Sequence, residues 1–79
     1  MSNKHSAINL DWSLEFGDRL KRLIHKKGMT QGQVAREVGV TEATLSGYIN
    51  GTHIPNVYIA EQIANTLDIR IERLFDKNF

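Results

Sequence analysis

The chain has 79 residues, short for even one average domain, and its 41% hydrophobic and 24% charged residues are the balance of a soluble globular protein rather than a disordered or membrane one. The longest apolar run, residues 57–60, is too short for a transmembrane helix or a signal-peptide core, and the absence of cysteine excludes a disulfide framework and thiolate chemistry, so the expected location is the cytoplasm. The formal net charge of +1 is unevenly spread: residues 1–18 carry −2, residues 59–79 carry −1, and the middle carries +4, from Arg19, Lys21, Arg22, Lys26, Lys27 and Arg36 against Glu37 and Glu42. A basic segment between acidic ends points mildly to a polyanionic partner, although solvated lysines on a helix face give the same count.

In chain order, residues 1–14 read as an N-terminal arm. Their alternating Ile8, Leu10, Trp12 and Leu14 suit a segment that packs onto the domain or reaches a partner subunit. Helix one is expected from about Phe16, since Phe16, Leu20, Leu23 and Ile24 recur at helical intervals and Gly28 follows where helices commonly end. The run Thr30-Gln31-Gly32-Gln33 is a capping-box pattern, and Met29 with Val34 has the spacing of a hydrophobic staple, so helix two should run over 31–38 and stop at Gly39. Val40 and Leu45 repeat the staple around Thr41, a second N-cap, and helix three is expected over 42–50, ended by Gly51. Asn56, after Pro55, caps a fourth helix with an apolar stripe of Val57, Ile59, Ala60, Ile63, Ala64 and Leu67. A short fifth helix falls over 71–75, and residues 76–79 read as a tail.

The expected fold is therefore all-α, a compact five-helix bundle in a single domain whose core is residues 15–75. Two short helices joined by a glycine-centred turn have the form of a helix-turn-helix, whose second helix can lie in the DNA major groove. Ala35 supplies the small residue that close helix approach needs, Gly39 tolerates positive φ, and Val34, Val38, Val40 and Leu45 are placed to lock the pair. A generic helical hairpin would meet some of the same constraints. Residues 30–41, with Leu45-Ser46, Asn50-Gly51, Pro55, Ile63-Ala64, Leu67 and Leu74-Phe75, resemble the Cro and phage-repressor type helix-turn-helix family, also called the XRE family, over residues 16–75. The resemblance implies a lambda repressor-like DNA-binding domain, usually acting as a dimer on an inverted repeat to regulate transcription.

Within that resemblance, Glu42, Ala43, Ser46 and Gly47 match the positions that face base edges. Chemically, Glu42 suits a cytosine amino group, Ala43 a thymine methyl, and Ser46 several bases. Gly47 is open to two readings, close approach of DNA to the helix backbone or simple tolerance of a helical glycine. Gln31 matches the glutamine that meets a phosphate at the start of helix two, where amides and helix dipole favour an anion. Lys27, Arg36, Thr41, Thr44, Asn50, Thr52 and His53 are further phosphate candidates. Tyr48 reads first as a core residue, with its hydroxyl able to reach a phosphate. Ile24 and Ile49 stand where many relatives pair an arginine with a glutamate, an exchange that is physically reasonable for a buried ion pair. No arginine, lysine or glutamine lies on helix three, so base discrimination should be modest and affinity drawn from phosphates.

The expected partners are double-stranded DNA and a second copy of the chain. Ile71, Leu74, Phe75 and Phe79 exceed what one short helix buries and are the dimer candidates, with Trp12 from the arm. One domain leaves no room for a ligand-sensing module, and no membrane partner, metal or cofactor is expected. Histidines at 5, 25 and 53 lie far apart in sequence with no accompanying carboxylate pair or glycine-rich phosphate loop, which argues against an enzyme. The function expected is a sequence-specific regulator, bacterial or phage-encoded and most like a stand-alone phage repressor or a small controller protein; the alternative is an antitoxin or anti-repressor whose main partner, regulatory in effect, is another protein.

Overall fold

Three of the five helices open on a side chain that accepts a backbone amide which would otherwise go unpaired. Thr30 Oγ1 accepts from the Gln33 amide at 3.1 Å while Gln33 Oε1 accepts from the Thr30 amide at 2.8 Å, completing the capping box. Thr41 Oγ1 accepts from the Thr44 amide at 3.0 Å, and Asn56 Oδ1 from the Ile59 amide at 2.8 Å. The computed structural model describes residues 10–75, with helices α1 (Leu10–Lys27), α2 (Gln31–Val38), α3 (Glu42–Asn50), α4 (Val57–Leu67) and α5 (Glu72–Phe75). No strand occurs among the described residues, and the boundaries of α2, α3 and α4 are those expected from the caps.

The α2–α3 turn depends on Gly39, whose φ of 92° lies in the left-handed region. Its amide and that of Val40 both donate to the Ala35 carbonyl, at 2.9 and 3.0 Å, so the turn closes on the end of α2. Met29 and Val40 are partly buried and pack against the core that contains Val34 and Leu45, which is consistent with the staple spacing. The C-cap of α4 is less expected. Asp68 adopts φ 56°, and its short polar side chain makes the left-handed conformation tolerable for a residue other than glycine.

The core joins Phe16, Leu20 and Ile24 of α1 to Val34, Ala35 and Val38 of α2, Leu45 and Tyr48 of α3, and Ala60, Ile63, Ala64 and Leu67 of α4. Each large side chain fully buried here contributes about 1.5–3 kcal/mol. Three expectations are corrected. First, α1 begins at Leu10, so residues 10–14 belong to the helix and not to an arm; residues 1–9 and 76–79, including Ile8, Phe79 and the tail, lie outside the described residues. Helical spacing prevails over the alternating pattern because Trp12 and Phe16, four apart, stack with centroids 5.3 Å apart, and Phe75 stacks on both at 6.1 and 5.5 Å. Second, Leu74, taken for a dimer residue, is fully buried within the subunit, and the Arg19 guanidinium donates to its carbonyl oxygen. Third, Val57 stands outside the buried stripe of α4 and is 74% exposed, because it occupies the first turn before the helix reaches the core. Beyond these three, Gly17, in the middle of α1, is buried where the end of α3 crosses it, a close approach not anticipated from the sequence.

Candidate nucleic-acid interface

Helix α3 turns Leu45 and Tyr48 inward, leaving Ala43 and Asn50 exposed and Ser46 half-exposed on its outer side. Glu42 is also exposed, but its carboxylate leans back over α2: a Cβ at Gly32 would lie 3.0 Å from Glu42 Oε2 and 3.3 Å from Cδ. The partial positive charge at the amino end of α2 favours that placement, which moves the negative charge away from the centre of α3. Ala43 and Ser46 thus form the middle of the exposed row. Thr41 and Thr44 bind one another, the Thr41 hydroxyl donating to Thr44 Oγ1 at 2.9 Å, so their oxygens sit together at the start of α3.

Gln31 is half-exposed at the start of α2 and lines a groove of about 230 Å³ with Lys21, Ile24, His25 and Met29. Lys21 and His25 are therefore neighbours of the expected phosphate-contacting glutamine. Sequence reasoning did not single them out for that role, although Lys21 and His25 are one helical turn apart on the outer face of α1 and were open to the same i, i+4 reading as the core.

The basic segment divides into two groups. Arg22 pairs with Asp18 at 3.4 Å on the surface, Arg19 is committed to the Leu74 carbonyl, and Lys27 reaches Asp68 at 3.8 Å. Lys27, expected on a phosphate, is thus directed to the α4–α5 corner and away from α3, because the end of α1 abuts the end of α4 in this bundle. Lys21 and Arg36 are exposed and have no ion-pair partner among the described residues, leaving their charge available to a polyanion, whereas Lys26, also without such a partner, lines the same α4–α5 corner as Lys27.

Two further expectations change. Gly47 does not present open backbone; it is buried beneath the imidazole of His53. Tyr48 is a core residue, as its first reading held, and its burial does not suit the phosphate role. Desolvation raises the Tyr48 pKa above its ordinary 10.0. Because the neutral phenol is the form the fold favours, its contribution is complete below about pH 10 and is lost as pH rises through the folded-state value. Urea unfolding at about pH 8 and about pH 11 should therefore show a smaller alkaline loss of stability in Tyr48→Phe than in the parent. An equal loss in both proteins would contradict this assignment.

Among the described residues, no helix is long and apolar enough to cross a membrane, and no group of three or more histidine, cysteine or acidic side chains forms a metal-binding cluster. What these residues define is a helix-turn-helix: α2 and α3 locked at Gly39, with an exposed row along α3 and exposed basic side chains on α1 and α2. The model of the HTH_3 helix-turn-helix family matches residues 19–74, and the chain belongs to that family, the XRE type of DNA-binding transcriptional regulators, which are not enzymes. A helix-turn-helix transcriptional regulator of Archaeoglobus fulgidus is 37% identical over 57 residues, spanning 72% of this chain and 81% of the relative. The crystal structure of the restriction-modification controller protein C.AhdI from Aeromonas hydrophila superposes with a TM-score of 0.76 at 29% identity, over 78% of this chain and 94% of that one. The solution structure of the SOS-response repressor LexA from Eubacterium rectale shares the fold, with a TM-score of 0.78 at 23% identity over 89% and 73% of the two chains.

Proposed function

We propose that the protein is a dimeric repressor that binds an inverted-repeat operator in double-stranded DNA in the cytoplasm. The observation that carries this reading is the exposed row Ala43, Ser46 and Asn50 on a helix held by two capped ends and the Gly39 turn, beside Gln31 at the start of α2. Ser46 and Ala43 read base edges, with Glu42 at the margin toward α2, and Gln31, Arg36, Thr41, Thr44, Asn50 and Thr52 serve phosphates. The likeness to a small controller protein supports a regulator of this size. Dimerisation uses the C-terminal surface without Leu74, namely Ile71 and Phe75 with Trp12 and with Phe79 from outside the described residues; Phe75 is 40% exposed although it stacks on Phe16 and Trp12. Two copies read two half-sites, and their spacing adds selectivity that a recognition helix without arginine, lysine or glutamine lacks.

The test is selection of bound sequences from a random duplex library at stated salt. Enrichment of an inverted repeat is the expected result. A second reading, an antitoxin or anti-repressor acting through a protein partner, is favoured by the exposed apolar residues Ile54, Val57 and Tyr58 around the start of α4. It predicts no enriched sequence, together with a partner recovered in stoichiometric amount.

A further inference from the structure

Gly47 occupies a contradictory place. It follows Ala43 by four residues and precedes Asn50 by three, both exposed, so helical geometry puts it on the outer side of α3, yet it is buried. The cover is His53. A Cβ at Gly47 would overlap His53 Cδ2 and fall only 2.9 and 3.0 Å from Cγ and Nε2, so the ring fills the space that any other residue at this position would need. The loop is tied to hold it there. The Gly47 carbonyl accepts the amides of Gly51, Thr52 (2.9 Å) and His53 (3.2 Å), and the Thr52 hydroxyl at 3.3 Å, while Gly51, at φ 83°, turns the chain back over the helix.

We infer that His53 is a specificity-determining residue, supplying from the loop the base-reading side chain that α3 lacks at Gly47. The inference deepens the DNA-binding reading and rests on it. With Cδ2, Cγ and Nε2 nearest the helix, Nδ1 and Cε1 lie on the far edge of the ring, and His53 is itself exposed. An imidazole N–H at that place suits an acceptor on a purine edge, N7 or the guanine O6, in the major groove. A phosphate partner would need the ring beside the groove wall instead of over the outer side of α3. Gly47 is the positioning residue: its role is to leave room for the ring.

The experiment compares the parent, His53→Ala, Gly47→Ala, the double variant and His53→Lys. Each is titrated against the duplex chosen by library selection, against single-base-pair variants of it, and against random DNA at one salt concentration. A parent that binds no duplex selectively refutes the underlying reading and this inference with it. Given selective binding, His53→Ala is expected to lower discrimination at one base pair by about tenfold while leaving random DNA unchanged. Gly47→Ala displaces the ring and should have the same effect, with the double variant no worse than either, since both remove one interaction. His53→Ala keeps the fold, its side chain being exposed, and it relieves the clash in the double variant, so the comparison survives a poorly folded Gly47→Ala. Equal weakening on all DNA by His53→Ala, or uniformly tighter binding by His53→Lys with discrimination intact, would assign His53 to a phosphate and overturn the inference.

Discussion

Gly17→Ala is expected to remove a large part of the domain's stability and to unfold at a much lower urea concentration than the parent. A Cβ at Gly17 would run into the carbonyl oxygen of Ile49, with the Ile49 carbonyl carbon at 2.6 Å and the Tyr48 oxygen at 2.8 Å. These are backbone atoms at the end of α3, so no rotamer change relieves the overlap. The helices must separate, which exposes the α1–α3 half of the core. Overpacking of this kind costs about 3 kcal/mol or more, against a total of about 4 to 12 kcal/mol for a domain of this length. Gly39→Ala is the informative comparison. Nothing lies within 4 Å of a Cβ there, and the cost arises only from the left-handed φ, about 1 to 2 kcal/mol. Urea unfolding followed by circular dichroism checks both, and a Gly17→Ala midpoint equal to or above that of Gly39→Ala would contradict the packing described.

Deleting residues 1–14 is expected to have the next largest effect. A dispensable arm would leave stability unchanged. The structure puts Trp12 in a three-ring stack with Phe16 and Phe75 and buries Ser13, so the deletion removes the first turn of α1 and one face of the core. Trp12 is half-buried, so loss of the indole alone is worth about 2–3 kcal/mol, enough to lower the melting temperature by about 10 °C. A truncated protein melting with the parent would restore the arm. Trp12→Ala in the full chain should reproduce most of the loss and so separates the ring from the remainder of the segment.

The parts of this fold that were legible in sequence are those fixed by neighbours along the chain. Thr30 with Gln33, Thr41, Asn56 and Gly39 each act within five residues, and each stands where the sequence puts it. The errors lie where distant segments decide. Leu10, Trp12 and Leu14 alternate like an extended arm, but Phe75, more than sixty residues away, makes the helical alternative the better packed. A signal was present in the Trp12–Phe16 spacing and in Ser13 and Gly17, two small residues one turn apart that allow the end of α3 to approach α1. For Leu74 and Lys27 no local signal exists, since one is buried by its place between helices and the other meets Asp68 only because α1 and α4 end together. At the interface, residue types indicated which side chains could meet DNA, whereas the tertiary arrangement decides that Glu42 leans over Gly32 and that His53 covers Gly47.

The central claim is that the exposed row of α3 reads bases while the start of α2 holds the backbone. It is tested most directly by titrating Ser46→Ala and Gln31→Ala against the selected operator and a random duplex at the same salt. Ser46→Ala should weaken operator binding by about fivefold and leave random DNA unchanged. Gln31→Ala should weaken both alike. Equal loss on operator and random DNA in Ser46→Ala would contradict a base-reading role for α3.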